Sequence, residues 1–171
     1  MQSSSLVSEI LLYCDGGCHG NPGPGGWGVW GHLSQECYEK WGGERLTTNN
    51  KMELTAAIRA LQMTPIQSVV RIRTDSQYVV KGVHEWRAGW EAKAWKGVKN
   101  LELWQALFIE VDARQVIFEW VRGHSGNPGN EHADRLAQAG IELLSTTPHS
   151  ICEAERRSPS KNSLSSLVSS V

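Results

Sequence analysis

The sequence predicts an α/β fold, with a five-stranded mixed sheet of three antiparallel and two parallel strands flanked by helices. Near the N-terminus, three strand-like runs are separated by turn-forming residues, which is typical of an antiparallel meander. After residue 48, helix and strand patterns alternate, which favours right-handed crossovers and parallel strands. A chain of 171 residues is long enough for one domain with a hydrophobic core.

The meander begins with an apolar run, Ile10 to Cys14, that ends at Asp15. The Gly- and Pro-rich segment 16–26 follows, and we expect it to reverse the chain without forming a regular element. Two short strands come next, joined at residues 34–35. The three predicted strands are residues 9–15, 27–33 and 36–41.

The second half begins with a helix whose apolar face carries Leu54, Ile58 and Leu61. Asn50 and Glu53 have the spacing of a capping box, and we expect the helix to end near Pro65. The elements predicted after it are a strand at 69–74, helices at 75–89 and 100–112, a strand at 115–121 and a helix at 130–144.

Both ends of the chain differ in composition from the middle. We predict a flexible segment at 1–8, a catalytic domain at 9–147 and a Ser-rich, disordered tail at 148–171. The N-terminal residues lack the pattern of a secretory signal, and no run of about 18 apolar residues could span a bilayer. We therefore expect a cytoplasmic protein with no membrane partner.

Charge and cysteine content narrow the choice of ligand. The formal net charge is −1, so a polyanion partner would depend on local clusters of cations. One such cluster places Trp86, Trp90 and Trp95 among lysines and an arginine. The four cysteines have no paired metal-knuckle spacing, and a zinc site built from Cys14, Cys18 and His19 would lack a fourth ligand.

The strongest chemical signal is a set of four acids at element boundaries: Asp15, Glu53, Asp75 and Asp134. Each of them except Asp15 has an ordinary structural explanation, because Glu53, Asp75 and Asp134 could cap or favour helix starts. Asp75 could also pair with Arg73 on the same strand. The predicted fold nevertheless brings all four toward one edge of the sheet, where they would repel one another unless cations were bound.

Carboxylate ligands favour Mg²⁺ or Mn²⁺ over softer metals. Two such ions held about 4 Å apart suit in-line attack of water on a phosphodiester. His124 lies in a Gly-bracketed loop between the last strand and the Asp134 helix. A solvated histidine there suits proton transfer near neutral pH, although it could equally be an ordinary surface residue.

Several segments together resemble the type 1 ribonuclease H family as found in bacteria. The resemblance runs in order over about residues 9–145 and implies a ribonuclease H-like fold. The segments that carry it are 13–28, 47–54, 74–79, 98–104, 120–124 and 130–137.

This resemblance implies endonucleolytic hydrolysis of the RNA strand of an RNA/DNA hybrid, leaving 5′-phosphate and 3′-hydroxyl ends. It implies a monomer that removes RNA primers and R-loops, with the four acids as ligands of two Mg²⁺ ions and His124 assisting proton transfer or product release. Trp86 and Trp90 would touch the DNA strand, and Thr48 and Asn100 would approach a DNA phosphate. The minor groove would be lined by Asn21, Asn49, Asn50 and Gln77.

Two features depart from the family pattern. The basic protrusion is compressed to residues 90–99 and contains Glu91, so we expect weaker or more salt-sensitive binding of hybrid. Leu46 stands where relatives often carry Arg, which puts one DNA-phosphate contact in question.

Two other functions fit less well. A non-catalytic hybrid-binding module would be expected to have lost an acid, and all four are present. Another nuclease of the superfamily, such as an integrase or a proofreading exonuclease, would lack the features of 47–53 and 86–100.

Overall fold

The computed structural model describes residues 8–33 and 35–159. Six strands form one mixed sheet, in the order β5-β4-β1-β2-β3-β6. The strands are β1 Ile10–Cys18, β2 Gly23–Leu33, β3 Glu36–Thr47, β4 Val69–Thr74, β5 Gln115–Trp120 and β6 Ile151–Pro159. The antiparallel meander and the parallel pairs β1–β4 and β4–β5 were both predicted correctly.

Helices cover both faces of the sheet. The central helical segment contains a π-helical turn, Gly82–Trp86, between two short α-helices. The helices are α1 Asn49–Gln62, α2 Gln77–Lys81, α3 Arg87–Ala92, α4 Leu101–Asp112 and α5 Pro128–Thr146. None of the helices in the described ranges combines the length and apolar character that crossing a membrane requires.

The main core lies between the sheet and helices α1 and α4. Leu12 and Ile72 from the sheet, Leu61 from α1 and Trp104 from α4 are fully buried in this one cluster. Tyr13, which neighbours Leu12, faces the other way, and an added Cβ on Gly129 of α5 would lie only 2.5 Å from its ring. Alternate residues of β1 thus contact different helices, as strand geometry requires.

The strands of the meander are longer than predicted. β1 continues three residues past Asp15 to Cys18, and β2 already begins at Gly23. Glycine-rich composition suggested a long turn, but glycines here allow close packing. An added Cβ on Gly28 would lie 2.3 Å from the Ala133 carbonyl oxygen, so α5 approaches the backbone of β2 directly.

The predicted capping box at Asn50 is wrong. The N-cap of α1 is Thr48, whose hydroxyl accepts a hydrogen bond from the Lys51 N–H at 3.4 Å. The helix ends at Gln62, three residues before Pro65. The predicted helix at 75–89 instead begins at Gln77, with Ser76 as its N-cap.

The strand count of five is also corrected, because Ile151–Pro159 forms a sixth strand antiparallel to β3. This segment lies inside the predicted disordered tail. The segment lacks the apolar pattern by which strands are predicted. It is held instead by backbone pairing with β3 and by ion pairs, such as Arg156 with Glu39 at 2.8 Å. The predictions for 1–7 and 160–171 lie outside the described residues.

Candidate active site

Asp15 lies in the C-terminal half of β1. It is paired with Gly28 of β2, and the backbone of α5 at Ala133 lies directly against Gly28. Asp134 is the next residue of α5 after Ala133. Close packing at Gly28 therefore brings the part of α5 that carries Asp134 near the part of the sheet that carries Asp15.

Glu53 reaches the same region from α1. An added Cβ on Gly16 would lie 2.4 Å from the Glu53 backbone nitrogen, so α1 presses against β1 beside Asp15. The Glu53 carboxylate accepts hydrogen bonds from the Ser76 hydroxyl at 2.6 Å and from the Asn49 amide at 2.9 Å. These two contacts fix both carboxylate oxygens.

Asp75 directly follows β4, which is parallel to β1. Its carboxylate accepts a hydrogen bond from the Asn130 amide of α5 at 3.1 Å. An added Cβ on Gly123 would lie 2.4 Å from Asp75 Oδ2, so the loop after β5 passes over this carboxylate. Asp75 therefore lies where the end of β4, helix α5 and the loop that carries His124 meet.

The structure argues against the ordinary explanations for these acids. The caps of α1 and α2 are Thr48 and Ser76. Arg73 pairs with Glu119 at 2.8 Å and donates to the Tyr13 hydroxyl at 2.9 Å, not to Asp75. Since α5 begins at Pro128, Asp134 lies beyond its first turn.

Burial and mutual repulsion perturb the acids. Burial, followed by the negative charge of Asp75, raises the pKa of Asp15 to about 8, and Asp134 and Glu53 add to the effect. Burial also raises the pKa of Glu53, with Asp75 contributing. Coulomb effects of this kind require that the carboxylates lie near one another.

The donor chemistry of this edge fits a hard divalent cation. The carboxylates of Glu53 and Asp75 receive hydrogen bonds from neutral groups. The Oδ1 atom of Asn130, a residue only 2% exposed, is buried without a hydrogen-bond partner beside Asp75. In the part of the chain that the structure describes, no three His, Cys, Asp or Glu side chains are already gathered closely enough to hold an ion.

His124 is exposed on the loop between β5 and α5, with a positive φ of 50°. The loop is held in place by the Ser125 hydroxyl, which donates to the Arg122 carbonyl at 2.6 Å. The neighbouring Gly123 lies against the Asp75 carboxylate, so His124 is exposed on a loop that reaches the proposed site.

Four of the eight predicted nucleic-acid residues line one open groove between the starts of α1 and α4. Asn49 lies next to it, because its backbone N–H donates to the Asn21 amide oxygen at 3.0 Å. Gln77 is exposed at the start of α2. The groove is lined by Asn21, Thr48, Asn50, Lys99 and Asn100.

Trp86 and Trp90 are half-buried and pack against the core. Their rings lie 5.7 Å apart, and Trp90 is 4.9 Å from the buried ring of Trp104. Part of each ring therefore serves packing. The cysteines are free thiols, and Cys18 contacts carbonyl oxygens of Gly23 and Thr47.

Sequence reasoning missed two residues that orient the acids, Ser76 and Asn130. Both are buried polar residues, at 4% and 2% exposure. Their position gave a signal, because each lies in a segment that also holds one of the acids. Their hydrogen-bond partners are distant in sequence, however, and could not be assigned from local pattern.

Comparison with known proteins identifies the family of this chain. The profile of the RNase H family matches residues 7–142. The chain belongs to the ribonuclease H family. It is 54% identical over 146 residues to a ribonuclease H of Methylobacillus flagellatus and 53% identical to one of Methylococcus capsulatus. These alignments cover 82% of this chain and 95% and 94% of the two relatives.

Solved ribonuclease H structures share the fold. LC9-RNase H1, described as a type 1 RNase H with the type 2 active-site motif, superposes with a TM-score of 0.74 at 30% identity, covering 89% of this chain and 80% of that one. LC11-RNase H1, solved in complex with an RNA/DNA hybrid, gives a TM-score of 0.60 at 25% identity, covering 80% of this chain and 99% of the other. The mixed sheet flanked by helices is therefore the fold of this family.

Proposed function

We propose that this protein hydrolyses the RNA strand of RNA/DNA hybrids, giving 5′-phosphate and 3′-hydroxyl ends. The observation that carries the proposal is the approach of Asp15, Glu53 and Asp75 at one sheet edge, close enough to raise the pKa of Asp15. Membership of the ribonuclease H family and likeness to a relative solved with an RNA/DNA hybrid support this substrate.

The four acids would hold two Mg²⁺ ions, for which Mn²⁺ is a possible substitute. When bound, such ions would activate water for attack and stabilise charge on the phosphate. The raised pKa of Asp15 supports cation binding, because an adjacent positive charge would lower that pKa and favour the carboxylate form. The orphaned Asn130 oxygen supports it as well.

The chain's own groups orient the acids and move protons. Ser76 and Asn49 hold the Glu53 carboxylate, and Asn130 holds Asp75. His124, exposed on its loop, would carry a proton between the reacting oxygens and bulk water or would help release product.

Recognition of the hybrid would rest on the groove beside the acids. Neutral amides can read the minor-groove side, where the RNA 2′-hydroxyl distinguishes RNA from DNA. Asn21, Asn49, Asn50 and Gln77 would take this part, with Thr48 and Asn100 at a DNA phosphate. The half-exposed faces of Trp86 and Trp90 would contact the DNA strand.

In the cell, this activity would remove RNA primers and R-loops, and we propose a cytoplasmic, monomeric enzyme. A non-catalytic hybrid-binding module is less well supported, because all four acids are present and the charges of Asp75, Asp134 and Glu53 add to burial in raising the pKa of Asp15.

Substitution of one acid tests the proposal. Asp75→Asn keeps the side-chain volume but removes a charge, so we expect turnover to fall by at least ~100-fold, as loss of a metal ligand implies, while hybrid binding persists. Glu142→Gln, an exposed change on α5, is the control. Cleavage rates and gel-shift binding are measured on the same hybrid, and Asp75→Asn protein that cleaves like the control would contradict the proposed site.

A further inference from the structure

Trp120 is unusual among the aromatic residues of this protein. All thirteen aromatic side chains lie in the described residues, and Trp120 is the one that is exposed, at 45%. A large exposed aromatic ring is costly to leave in water unless something covers it in the functional state. Single exposed apolar side chains are nevertheless common, so exposure alone decides nothing.

The Trp120 ring is held in a defined orientation. Its indole N–H donates to the backbone carbonyl of Asp75 at 3.0 Å. Within the described part of the chain, the ring neither packs on another aromatic ring nor lies beneath a cation. The Trp120 ring is therefore held in place with one face open. It is hydrogen-bonded to the backbone of Asp75, whose side chain is a proposed metal ligand.

Arg122, two residues further on, is unusual among the arginines. The chain has ten arginines, all in the described residues, and nine of them use the guanidinium in a hydrogen bond or an ion pair. Arg122 makes neither with any residue that the structure describes, and its side chain is exposed. Its charge is therefore available to an anion.

The two residues flank Asp75 closely. Trp120 pairs with Thr74 in the sheet, and the Val121 N–H continues the ladder by donating to the Thr74 carbonyl at 3.0 Å. Gly123 then passes over the Asp75 carboxylate. Trp120 ends β5, and Arg122 lies between Val121, which extends the ladder, and Gly123, which lies against Asp75.

We propose that Trp120 and Arg122 form a contact site for the RNA strand beside the scissile phosphate. The indole ring would pack on a ribose face, and the guanidinium would pair with an adjacent backbone phosphate. The position beside Asp75 and His124 favours the cut strand, whereas the groove proposed for the DNA phosphate lies between α1 and α4. This inference rests on the proposed function, because it names a subsite for that same reaction.

Steady-state kinetics of point variants test the site. Arg122→Gln should raise KM about 3- to 10-fold with little change in kcat, and should reduce the slope of log(kcat/KM) against log salt by about 1, as loss of one phosphate contact implies. Trp120→Leu should raise KM about 5- to 30-fold, in line with loss of aromatic packing on a nucleotide. Trp120→Phe keeps a ring and should stay close to wild type in KM, which separates packing from the hydrogen bond to Asp75.

Matched controls use exposed residues away from the site. Arg157→Gln removes an exposed arginine on β6, the opposite edge strand, and Ile117→Ala shortens an exposed apolar residue on β5 itself. Both should leave KM and the salt slope unchanged. Arg122→Gln and Trp120→Leu enzymes that match these controls would overturn the inference, provided that their circular dichroism is that of the wild type.

The strand assignment needs modified hybrids. A single deoxynucleotide with an uncharged methylphosphonate linkage is placed next to the cut in the RNA strand, with the same deoxynucleotide carrying a normal phosphate as reference. Neutralising the contacted RNA phosphate should weaken the wild type as much as Arg122→Gln does and should leave Arg122→Gln unaffected. If only DNA-strand linkages behave this way, the proposal is wrong. A wild-type enzyme that fails to cleave any hybrid would instead refute the proposed function.

Discussion

At the scale of single residues, the central feature is a carboxylate that is costly to ionise. Asp15 is held within a strand, and burial together with the charge of Asp75 raises its pKa to about 8. A hydrogen bond from the Gly16 N–H at 2.7 Å partly offsets this effect. A protein would not be expected to keep such a residue for stability alone, since each unit of pKa shift corresponds to about 1.4 kcal/mol.

This shift predicts how stability depends on pH in the absence of metal. The folded protein binds a proton at Asp15 more tightly than the unfolded chain, so stability falls as pH rises between about 4, the unfolded pKa, and about 8. We expect the melting temperature in chelator to drop by about 5 °C or more over this window. Thermal melts of the wild type and of Asp15→Asn test this, since the substitution should flatten the profile.

Divalent ions should reverse that trend. With Mg²⁺ present, the melting temperature of the wild type should rise most at high pH, where Asp15 would otherwise be an uncompensated charge. If Asp15→Asn showed the same pH dependence and the same Mg²⁺ response as the wild type, Asp15 would not be the titrating group.

His124 differs from the four acids because we propose that it moves a proton or helps release product, not that it binds metal. We expect His124→Ala to lower turnover by about 10- to 100-fold, the low end of general acid–base effects, because water can partly replace a loop histidine. The Mg²⁺ concentration optimum should move little, whereas Asp134→Ala should disturb the metal requirement. Rates measured against Mg²⁺ concentration for both variants separate the two roles. A large shift in the Mg²⁺ optimum of His124→Ala would contradict the proton-transfer role proposed for His124.

At the scale of elements, the sequence was sufficient where the signal was local. The order of strands and helices and the four acids follow from periodicity and spacing. The ends of β1 and β2 were misjudged because glycine marks turns in most sequences. Here Gly16 and Gly28 lie under helix backbones, where a Cβ would not fit, and this requirement depends on tertiary packing.

The sixth strand could not be predicted from residues 151–159 because its stabilising contacts are distant in sequence. Glu153 pairs with Lys40 at 3.6 Å and with Arg59. Arg157 lies over the ring of Tyr38, 4.7 Å from its centroid. In the sequence alone, the charged residues of this segment are typical of a solvated tail. Their partners become evident only when the segment is seen to pair with β3.

The same contacts predict the effect of removing β6. A chain ending at Thr147 should lose about 1–3 kcal/mol in its free energy of unfolding, because exposed ion pairs contribute at most about 1 kcal/mol each and the edge of β3 becomes open. Specific activity should stay within about threefold, since the acids lie on other elements. Denaturant titration of this chain and of one ending at Pro159 measures the difference. Equal stability of the two would show that β6 contributes nothing, and a large loss of activity would show that it supports the site.

At the scale of the whole molecule, three packing relations assemble one site. The parallel pairing of β1 with β4 brings Asp15 and Asp75 together, α1 presses Glu53 against β1, and α5 crosses β2 at Ala133. The net charge of −1 gives little general attraction for nucleic acid. Affinity for a hybrid must therefore come from local groups such as Lys99 at the groove and Arg122 beside Asp75.

Leu46 and the short protrusion at residues 90–99 both concern the affinity for an RNA/DNA hybrid. Leu46 is 76% exposed and carries no charge, at the position where the family resemblance led us to expect Arg. Loss of one phosphate contact from a small set makes binding weaker but changes neither the strand that is cut nor the chemistry. The exposed side chain of Lys51 on α1 and Asn100 both line a neighbouring depression.

The most direct test of the account is strand-specific cleavage. The wild-type protein is incubated with a hybrid labelled separately on its RNA and DNA strands, with single-stranded RNA and with double-stranded RNA, in Mg²⁺ or in chelator. We predict cuts in the RNA strand of the hybrid alone, with 3′-hydroxyl ends, and no cleavage in chelator. Comparable cutting of double-stranded RNA, or full activity in chelator, would contradict the assignment of the acidic edge as a metal-dependent site for RNA/DNA hybrids.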